Sequence, residues 1–306
     1  MKILLATEKP FAKDAKEGIK KIIEDAGYIF EVIEKYTDKS VLLKAVSDAD
    51  AMIVRSDIVD KDVIDAAKNL KIVVRAGAGY DNIDLKSATE KGIVVMNTPG
   101  QNANAVAELA FGMMIYLNRK YFDGSTGKEL RGKKLGIHAF GFVGRYIAKI
   151  AKGFGMEVYA YDPFINEQVF NEEGVVQIKD VKDLYKTCQY ISLNLPANEN
   201  TKKSINYELL SLMPEGATLV NTARKEIINE DDLLKIFRER SDFRYISDVA
   251  PDCKEIIEKE FPGRYYFTPK KMGAQTEEAN NNAGLAAARQ IVNFFKNGDT
   301  TYQVNK

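Results

Sequence analysis

The stretch HAFGFVG, residues 138–144, contains residue types that can hold a phosphate group. Gly141 would let the backbone approach a ligand, and Gly144 would let a helix pack closely on a strand. The strand-like KKLGI precedes the stretch and the helix-like VGRYIAKIAKGFG overlaps its end, so N–H groups at the helix start would face the phosphate. A second strand-like run ends at Asp162, about 20 residues further on, as the dinucleotide-binding pattern requires.

This order of strand, loop, helix, strand and acid predicts a dinucleotide site rather than an ordinary βαβ turn whose glycines serve packing alone. The carboxylate of Asp162 can accept both ribose hydroxyls and would repel a 2′-phosphate, which favours NAD over NADP. Phe142 and Val143 complete the loop. Ala139 stands at the first glycine position, and we expect its backbone to keep a negative φ, because a positive φ is costly for a residue with a Cβ.

His138 is the only histidine in the chain and lies one residue before the predicted turn. A side chain at the end of a strand is usually packed against its neighbours, and this position is on the wrong side of the cofactor for hydride chemistry. We therefore expect His138 to be structural rather than catalytic.

Composition narrows the class of protein. Lys+Arg and Asp+Glu both number 44, so the net charge is zero and no basic excess indicates a nucleic acid or a membrane surface as partner. No apolar run is long enough to span a bilayer. Cys188 and Cys253 lack the spacing of a metal site or a disulfide framework, which favours a reducing cytoplasm and no bound metal.

Strand-like and helix-like segments alternate along the 306 residues, which predicts parallel sheets covered by helices. Two series of strands are separated by NTPGQNA at 97–103, where proline and glycine interrupt the pattern. The predicted fold is α/β with two doubly wound parallel-sheet domains, the second a Rossmann dinucleotide-binding domain. An alanine-rich helix from about Thr276 to Asn297 is expected to return to the first domain. The predicted domains are 1–97 with 283–306, which bind the substrate, and 98–282, which bind NAD.

Six further stretches, taken with HAFGFVG, resemble the D-2-hydroxyacid dehydrogenase family nearly end to end. They are VRSDIVD (54–60), VRAGAGYDNID (74–84), NTPGQNANAVAELA (97–110), VNTARKEIINEDDL (220–233), ISDVAPD (246–252) and TPKKMGAQTEEA (268–279). The resemblance implies an NAD-dependent oxidoreductase that is a homodimer through its nucleotide-binding domains. The helix ANAVAELAFGMMIYLNRK at 103–120 would supply the interface, since its apolar face would otherwise be partly exposed.

The resemblance assigns roles to residues that match the motifs of the family. Arg224 in NTAR would bind the substrate carboxylate and polarise the reacting carbonyl, because a guanidinium fork suits a carboxylate and stabilises a developing alkoxide. Thr222 and Ala223 would line the nicotinamide side of the site. Asp248 would lie near the nicotinamide carboxamide, unless it serves as the N-cap of a helix.

Substrate binding is assigned to residues of the first domain. Arg55 and Arg75 match positions that bind a phosphate, and paired cations fit a phosphate dianion. Ser56, Gly77 of the GAG run at 77–79, and Asn102 would hold the rest of the substrate. Within the family, the resemblance is strongest to members that oxidise D-3-phosphoglycerate to 3-phosphohydroxypyruvate, the first step of serine biosynthesis.

The sequence departs from the catalytic pair of the family, which is a histidine after Thr-Pro and a glutamate that pairs with it. In TPKKMGAQT, Lys270 stands at the histidine position when residues are counted forward, and Lys271 when they are counted backward. Cys253 falls at the glutamate position, and Asp252 and Glu255 are neighbours that could replace the glutamate.

We expect Lys270 or Lys271 to be the proton-transfer group, unless both face solvent. A lysine needs burial and nearby positive charge to lower its pKa, and Arg224 with the cationic nicotinamide could supply that charge. Lys225 and Glu226 also replace small residues of the family beside the cofactor. The chain ends soon after the returning helix, so we expect no serine-binding regulatory domain.

Two other functions stay open. A hydroxypyruvate or glyoxylate reductase would not need Arg55 and Arg75 together. A binding protein that senses NADH, like the relatives that act as corepressors, would need neither the histidine nor the glutamate. The retention of Arg224 and of both phosphate-type arginines argues against this last function.

Overall fold

The computed structural model describes residues 1–306 as two compact units. One unit comprises Met1–Asn102 and Gln275–Lys306, and the other is Ala103–Ala274. The first boundary follows Asn102, whereas the sequence predicted it after residue 97. The second boundary follows Ala274, whereas the sequence predicted it after residue 282. None of the helices combines the length and the apolar character that a bilayer-spanning segment needs.

The discontinuous unit is built on a five-stranded parallel sheet with the order β2-β1-β3-β4-β5. The strands are β1 (Lys2–Thr7), β2 (Ile29–Glu34), β3 (Ala51–Val54), β4 (Ile72–Arg75) and β5 (Val94–Asn97). The central strands β1 and β3 consist almost wholly of buried apolar residues, because helices cover both faces of the sheet.

Five helices flank this sheet: α1 (Lys13–Asp25), α2 (Lys39–Val46), α3 (Lys61–Ala66), α4 (Leu85–Glu90) and α12 (Glu277–Asn297). The hydroxyl oxygen of Thr276 caps the start of α12 by accepting from Ala279 N–H over 3.1 Å, and Gly298 ends it in a left-handed conformation. The helix packs on α1, where a Cβ on Gly18 would lie 2.7 Å from Leu285 Cδ2. The alanine-rich last helix thus belongs to the same unit as the first strands.

The continuous unit is built on a seven-stranded parallel sheet with the order β12-β11-β10-β9-β6-β7-β8. The strands are β6 (Lys134–His138), β7 (Glu157–Tyr161), β8 (Val176–Gln177), β9 (Tyr190–Leu193), β10 (Thr218–Asn221), β11 (Arg244–Ser247) and β12 (Tyr265–Phe267). Six of these strands coincide with strand-like runs of the sequence, which are KKLGIHA, EVYAYD, YISLNL, ATLVNT, RYISDV and RYYFT. The exception is β8, a two-residue strand at the edge of the sheet.

Seven helices belong to this unit: α5 (Ala103–Asn118), α6 (Phe142–Gly153), α7 (Glu167–Glu172), α8 (Val181–Thr187), α9 (Tyr207–Leu210), α10 (Glu230–Glu239) and α11 (Lys254–Glu260). Two apolar clusters lie on the sheet, one of which includes residues of α5 and α6 and the other residues of α8 to α11. The predicted fold class, two α/β domains with parallel sheets, is confirmed.

Candidate active site

The predicted dinucleotide loop lies at the carboxyl end of β6. Because β6 pairs with β9 on one side and β7 on the other, this loop occupies the point where the strand order reverses. Gly141 is the N-cap of α6, and a Cβ there would meet no heavy atom within 4 Å. A Cβ on Gly144 would lie 2.6 Å from the carbonyl oxygen of Ala139, so close packing requires glycine. Helix α6 begins with Phe142, which is exposed, and Val143, which is half-buried. The free N–H groups at the start of a helix can bind an anion.

Ala139 adopts a φ of +75°, and the expected negative φ was wrong. A left-handed conformation costs roughly 1–2 kcal/mol for a residue with a Cβ. Two backbone donors hold the chain in it. Ala139 N–H donates to the carbonyl of Tyr161 over 2.9 Å, and Phe140 N–H donates to Asp162 Oδ2 over 2.8 Å. Contacts with the end of β7 therefore impose the conformation.

Asp162 follows β7 and has a second partner besides the loop. Its Oδ1 accepts from Phe164 N–H over 2.9 Å. Each carboxylate oxygen has two lone pairs, so each keeps one acceptor site for a further hydroxyl. The carboxylate is half-buried and can therefore shape the loop and still bind a ligand.

His138, the last residue of β6, packs between two tyrosine rings. Its centroid lies 5.7 Å from that of Tyr161 and 5.9 Å from that of Tyr185, and its Nδ1 is 3.2 Å from the Tyr185 hydroxyl. Burial lowers the pKa of His138 from its usual value to about 4, which the nearby Asp162 only partly opposes. The imidazole is neutral near pH 7, as suits a packed side chain.

Hydrogen bonds from Asn221 fix the conformation of the NTAR segment, which follows β10. Asn221 belongs to the motif, but its role was not predicted. Asn221 is buried; its Oδ1 accepts from Ala223 N–H over 2.9 Å and its Nδ2 donates to the carbonyl of Arg224 over 3.0 Å. The Arg224 guanidinium donates to the carbonyl of Ala223 over 3.0 Å. Thr222 is buried, and its hydroxyl oxygen has no hydrogen-bond partner, so it is a candidate contact for a ligand.

Cys253, the residue predicted at the glutamate position of the family, has acidic neighbours. Asp252 forms an ion pair with Lys225, which stands beside Arg224, and Glu255 is exposed on α11. Glu230, at the start of α10, accepts from Asp252 N–H over 2.9 Å and from Cys253 N–H over 2.8 Å. Burial, with a further contribution from Glu230, raises the pKa of the Cys253 thiol to about 12, so the thiol stays protonated. The sequence carried no signal that Glu230 would lie here.

Asp248 is buried after β11 and binds the loop that follows β12. Its Oδ1 accepts from Met272 N–H over 2.7 Å and from the Thr268 hydroxyl over 3.1 Å, and its Oδ2 accepts from Gly273 N–H over 2.8 Å. A Cβ on Gly273 would lie 2.9 Å from Asp248 Oδ2. The alternative role as a helix N-cap is wrong, because Cys253 occupies the N-cap of the next helix.

The loop held by Asp248 carries the two candidate lysines. Both Lys270 and Lys271 are exposed in this structure. Neither side chain is buried in the protein conformation described.

The two predicted phosphate arginines lie side by side in the discontinuous unit. Arg55 follows β3 and Arg75 ends β4, and these strands are paired neighbours. Arg75 Nε donates to the carbonyl of Arg55 over 2.9 Å. A Cβ on Gly77 would lie 1.7 Å from Arg75 Nη1, so a side chain at this position would displace the guanidinium.

Arg55 is half-buried and its guanidinium has uncharged partners. Its Nη2 donates to Asn280 Oδ1 over 2.6 Å and its Nη1 donates to the carbonyl of Lys9 over 3.3 Å. Its Cζ lies over the ring of Phe11, 5.0 Å from the ring centroid. The contact of Asn280 with Arg55 was not predicted, because Asn280 follows the motif TPKKMGAQTEEA and no motif indicates its partner.

Two other predicted substrate-binding residues lie in the same unit. Ser56 is exposed, and Asn102 is the half-buried last residue of the segment Met1–Asn102.

The chain contains no group of three or more His, Cys, Asp or Glu residues arranged to hold a metal ion. Each of the two units carries candidate ligand-binding residues of its own. In the continuous unit, the loops after β6, β10 and β11 carry the dinucleotide-type glycines, Arg224 and Asp248. In the discontinuous unit, the loops after β3 and β4 carry Arg55 and Arg75 with Gly77. The three arginines of this set have guanidinium groups, which bind anions and stabilise negative charge.

Comparisons with known proteins agree on one family. A model described as the catalytic domain of D-isomer specific 2-hydroxyacid dehydrogenases matches residues 6–305. The crystal structure of an NAD+-bound 3-phosphoglycerate dehydrogenase from Entamoeba histolytica is 51% identical, covers 100% of this chain and 99% of that chain, and has a TM-score of 0.87. A hydroxypyruvate reductase from Thermotoga maritima is 37% identical over 281 residues, which are 85% of this chain and 90% of that protein.

A D-3-phosphoglycerate dehydrogenase from Methanocaldococcus jannaschii is 36% identical over 293 residues, or 89% of this chain. The match covers 54% of that protein, so the chain spans about half the length of this relative.

Two parallel sheets, with a glycine-containing loop at the reversal point of the larger one, define a Rossmann-type α/β protein of the dehydrogenase class. The chain belongs to the family of D-isomer specific 2-hydroxyacid dehydrogenases. The family resemblance predicted from the motifs is thereby confirmed, and the chain is an oxidoreductase.

Proposed function

We propose that the chain oxidises D-3-phosphoglycerate at C2 to 3-phosphohydroxypyruvate, with NAD as cofactor. The observation that carries this proposal is the arrangement of Arg55 and Arg75 at the ends of paired strands, joined by a hydrogen bond. Two arginines at the ends of neighbouring strands suit a phosphate dianion, which an unphosphorylated hydroxy acid lacks. The 51% identity to a 3-phosphoglycerate dehydrogenase supports the same substrate.

The residues present fit a bound NAD. Gly141 leaves open space for a pyrophosphate, Asp162 keeps acceptor sites for ribose hydroxyls, and the Thr222 hydroxyl has no partner within the protein. Ala139, Phe142 and Val143 would complete the pyrophosphate loop, and Ala223 and Asp248 would lie near the nicotinamide. When bound, NAD supplies the hydride acceptor.

The remaining chemistry falls to side chains of the protein. Arg224 would bind the C1 carboxylate and stabilise the negative charge that develops on the C2 oxygen. Ser56, Gly77 and Asn102 would position the substrate. The C2 hydroxyl proton would pass to the amine of Lys270 or Lys271 during oxidation, and the ammonium would return it during reduction.

Reduction of hydroxypyruvate is the second candidate function, because the hydroxypyruvate reductase of Thermotoga maritima is 37% identical over most of its length. Hydroxypyruvate carries no phosphate, so it would give Arg55 and Arg75 no anion of that kind to bind. The two functions can therefore be distinguished by how much the phosphate group contributes to substrate binding.

We further propose that the protein acts in the cytoplasm as a homodimer, at the start of serine biosynthesis. Both cysteines are free, which suits a reducing compartment. Helix α5 is the proposed interface element on the family resemblance alone, since most of its apolar residues pack within its own unit.

Arg55→Ala tests the proposed substrate. We expect the KM for D-3-phosphoglycerate to rise about 10- to 100-fold, the range for loss of hydrogen bonds to a charged group. The KM for hydroxypyruvate should stay within about twofold of the wild-type value.

The matched control is Arg238→Ala, which removes an arginine whose partner is the surface residue Glu260. It should leave both constants unchanged. Equal increases of both constants in Arg55→Ala would contradict a phosphate-specific role for Arg55.

A further inference from the structure

The Arg55 guanidinium is held by a residue of α12 rather than by its own strand or loop alone. Asn280 lies in the first turn of α12, more than 200 residues along the chain from Arg55, and its Oδ1 accepts from Arg55 Nη2 over 2.6 Å. This is the shortest of the hydrogen bonds described for Arg55. A role for this contact in substrate binding rests on the proposed function of Arg55.

The chemical type of the partner matters because an amide oxygen carries no net charge. A carboxylate at position 280 would form an ion pair with Arg55 and compete with any anionic ligand. Asn280 instead holds the guanidinium through a neutral acceptor and adds no negative charge beside it. The charge of Asp57 acts on Arg55, but the Asp57 carboxylate accepts from Arg55 N–H over 3.3 Å, from Tyr36 Oη over 2.6 Å and from Glu8 N–H over 2.7 Å.

The same face of α12 also places the aromatic ring under Arg55. Gly284 lies one helical turn after Asn280, and a Cβ there would lie 2.9 Å from Phe11 Cε1. Phe11 is buried and presents its ring to the guanidinium at 5.0 Å. Asn280 thus holds Arg55 directly, and Gly284 leaves the space for the ring of Phe11 that packs against Arg55.

An arginine side chain has many rotamers, and ordering it on binding weakens the affinity for the ligand. A guanidinium that is already ordered before the ligand arrives avoids that loss of affinity. We propose that Asn280 is a positioning residue that determines specificity: it orients Arg55 for the phosphate of the substrate and keeps it available as a cation. Asn280 itself need not contact the substrate.

The test compares Asn280→Asp with Asn282→Asp, which adds the same charge to the same helix at an exposed position. An acid in the first turns of a helix is compatible with the helix dipole, so both variants should fold. We expect Asn280→Asp to raise the KM for D-3-phosphoglycerate about 10- to 100-fold, with the kcat and the KM for hydroxypyruvate within about twofold. Asn282→Asp should resemble the wild type.

Asn280→Ala separates orientation from charge. It removes the acceptor without adding a carboxylate, so we expect a smaller increase in the same KM, about three- to tenfold. Unchanged constants in both Asn280 variants would overturn the proposal. Equal increases for both substrates would also overturn it, since they would indicate a general structural role.

Inorganic phosphate provides a second measurement that does not depend on turnover. Calorimetric titration of the wild type and Asn280→Asp with phosphate should show an affinity at least about tenfold lower in the variant. If the wild type oxidises no phosphorylated hydroxy acid but shows this difference, the proposed function fails and the role of Asn280 stands. If the wild type binds no phosphate, or the variant binds it equally well, the role of Asn280 fails.

Discussion

At the scale of single residues, the unusual feature is the lysine pair that the motif comparison predicts at the histidine position of the family. Lys270 and Lys271 are adjacent and exposed, and the loop that carries them is anchored by Asp248 through Met272 N–H and Gly273 N–H. The acids near the lost glutamate have other partners: Asp252 pairs with Lys225, and Glu230 accepts two backbone N–H groups. The proposed proton transfer by a lysine would therefore not use the histidine–glutamate pair of the family.

Alanine substitution of each lysine tests this proton transfer. We expect kcat for D-3-phosphoglycerate oxidation to fall about 100- to 10,000-fold in one of the two variants, the range for loss of a general base. The other variant should keep nearly full turnover. Lys259→Ala on α11 provides a control at an exposed lysine. Full turnover in both Lys270→Ala and Lys271→Ala would exclude lysine as the proton-transfer group.

At the scale of elements, the junction of β6 and α6 depends on a strained alanine. Ala139 has a φ of +75° and is held there by the Tyr161 carbonyl and, through Phe140 N–H, by Asp162. The strain at Ala139 and the proposed ribose-binding acid Asp162 are therefore coupled in one loop.

Ala139→Gly should stabilise the protein. Relief of a left-handed conformation gains roughly 1–2 kcal/mol, whereas the greater freedom of glycine in the unfolded chain costs roughly 0.5–1 kcal/mol. We expect a net increase in the free energy of unfolding of about 0.5–1 kcal/mol, measured by urea titration. Ala286→Gly within α12 is the contrasting control, expected to lose about 1 kcal/mol. Equal losses in both variants would show that Ala139 is not strained.

The sequence predicted elements better than it predicted contacts. Parallel strands are apolar on both faces, and this pattern revealed every strand except β8, which has only two residues at a sheet edge. The family motifs identified the loops that carry Arg224 and Arg55. The φ of Ala139 and the roles of Glu230 and Asn280 were missed, because each depends on a partner distant in the chain. Local pattern contains no information on such pairs.

At the scale of the whole molecule, the single histidine gives stability a simple dependence on pH. The pKa of His138 is lowered by burial to about 4 in the folded chain, whereas it is near 6.5 when the chain is unfolded. Below about pH 6.5 the unfolded chain takes up a proton that the folded chain refuses. The stabilisation is therefore complete above that pH and is lost as the pH falls towards 4.

We expect the free energy of unfolding to fall by roughly 1 kcal/mol per pH unit between about pH 6 and pH 5, a range in which most carboxyl groups stay ionised. His138→Gln removes the titrating group and should flatten the dependence in this range. Urea titrations of both proteins at several pH values provide the measurement. Parallel curves for the two proteins would show that His138 binds its proton equally well in the folded chain.

The central claim, that this chain oxidises a phosphorylated hydroxy acid with lysine in place of histidine, is tested most directly by NADH formation from D-3-phosphoglycerate. Hydroxypyruvate and glyoxylate reduction would be measured alongside. We predict NAD-dependent turnover of D-3-phosphoglycerate, faster than with NADP and more efficient than turnover of either unphosphorylated acid. Tight NADH binding without turnover of any of the three substrates would contradict the claim and would favour a protein that senses the dinucleotide.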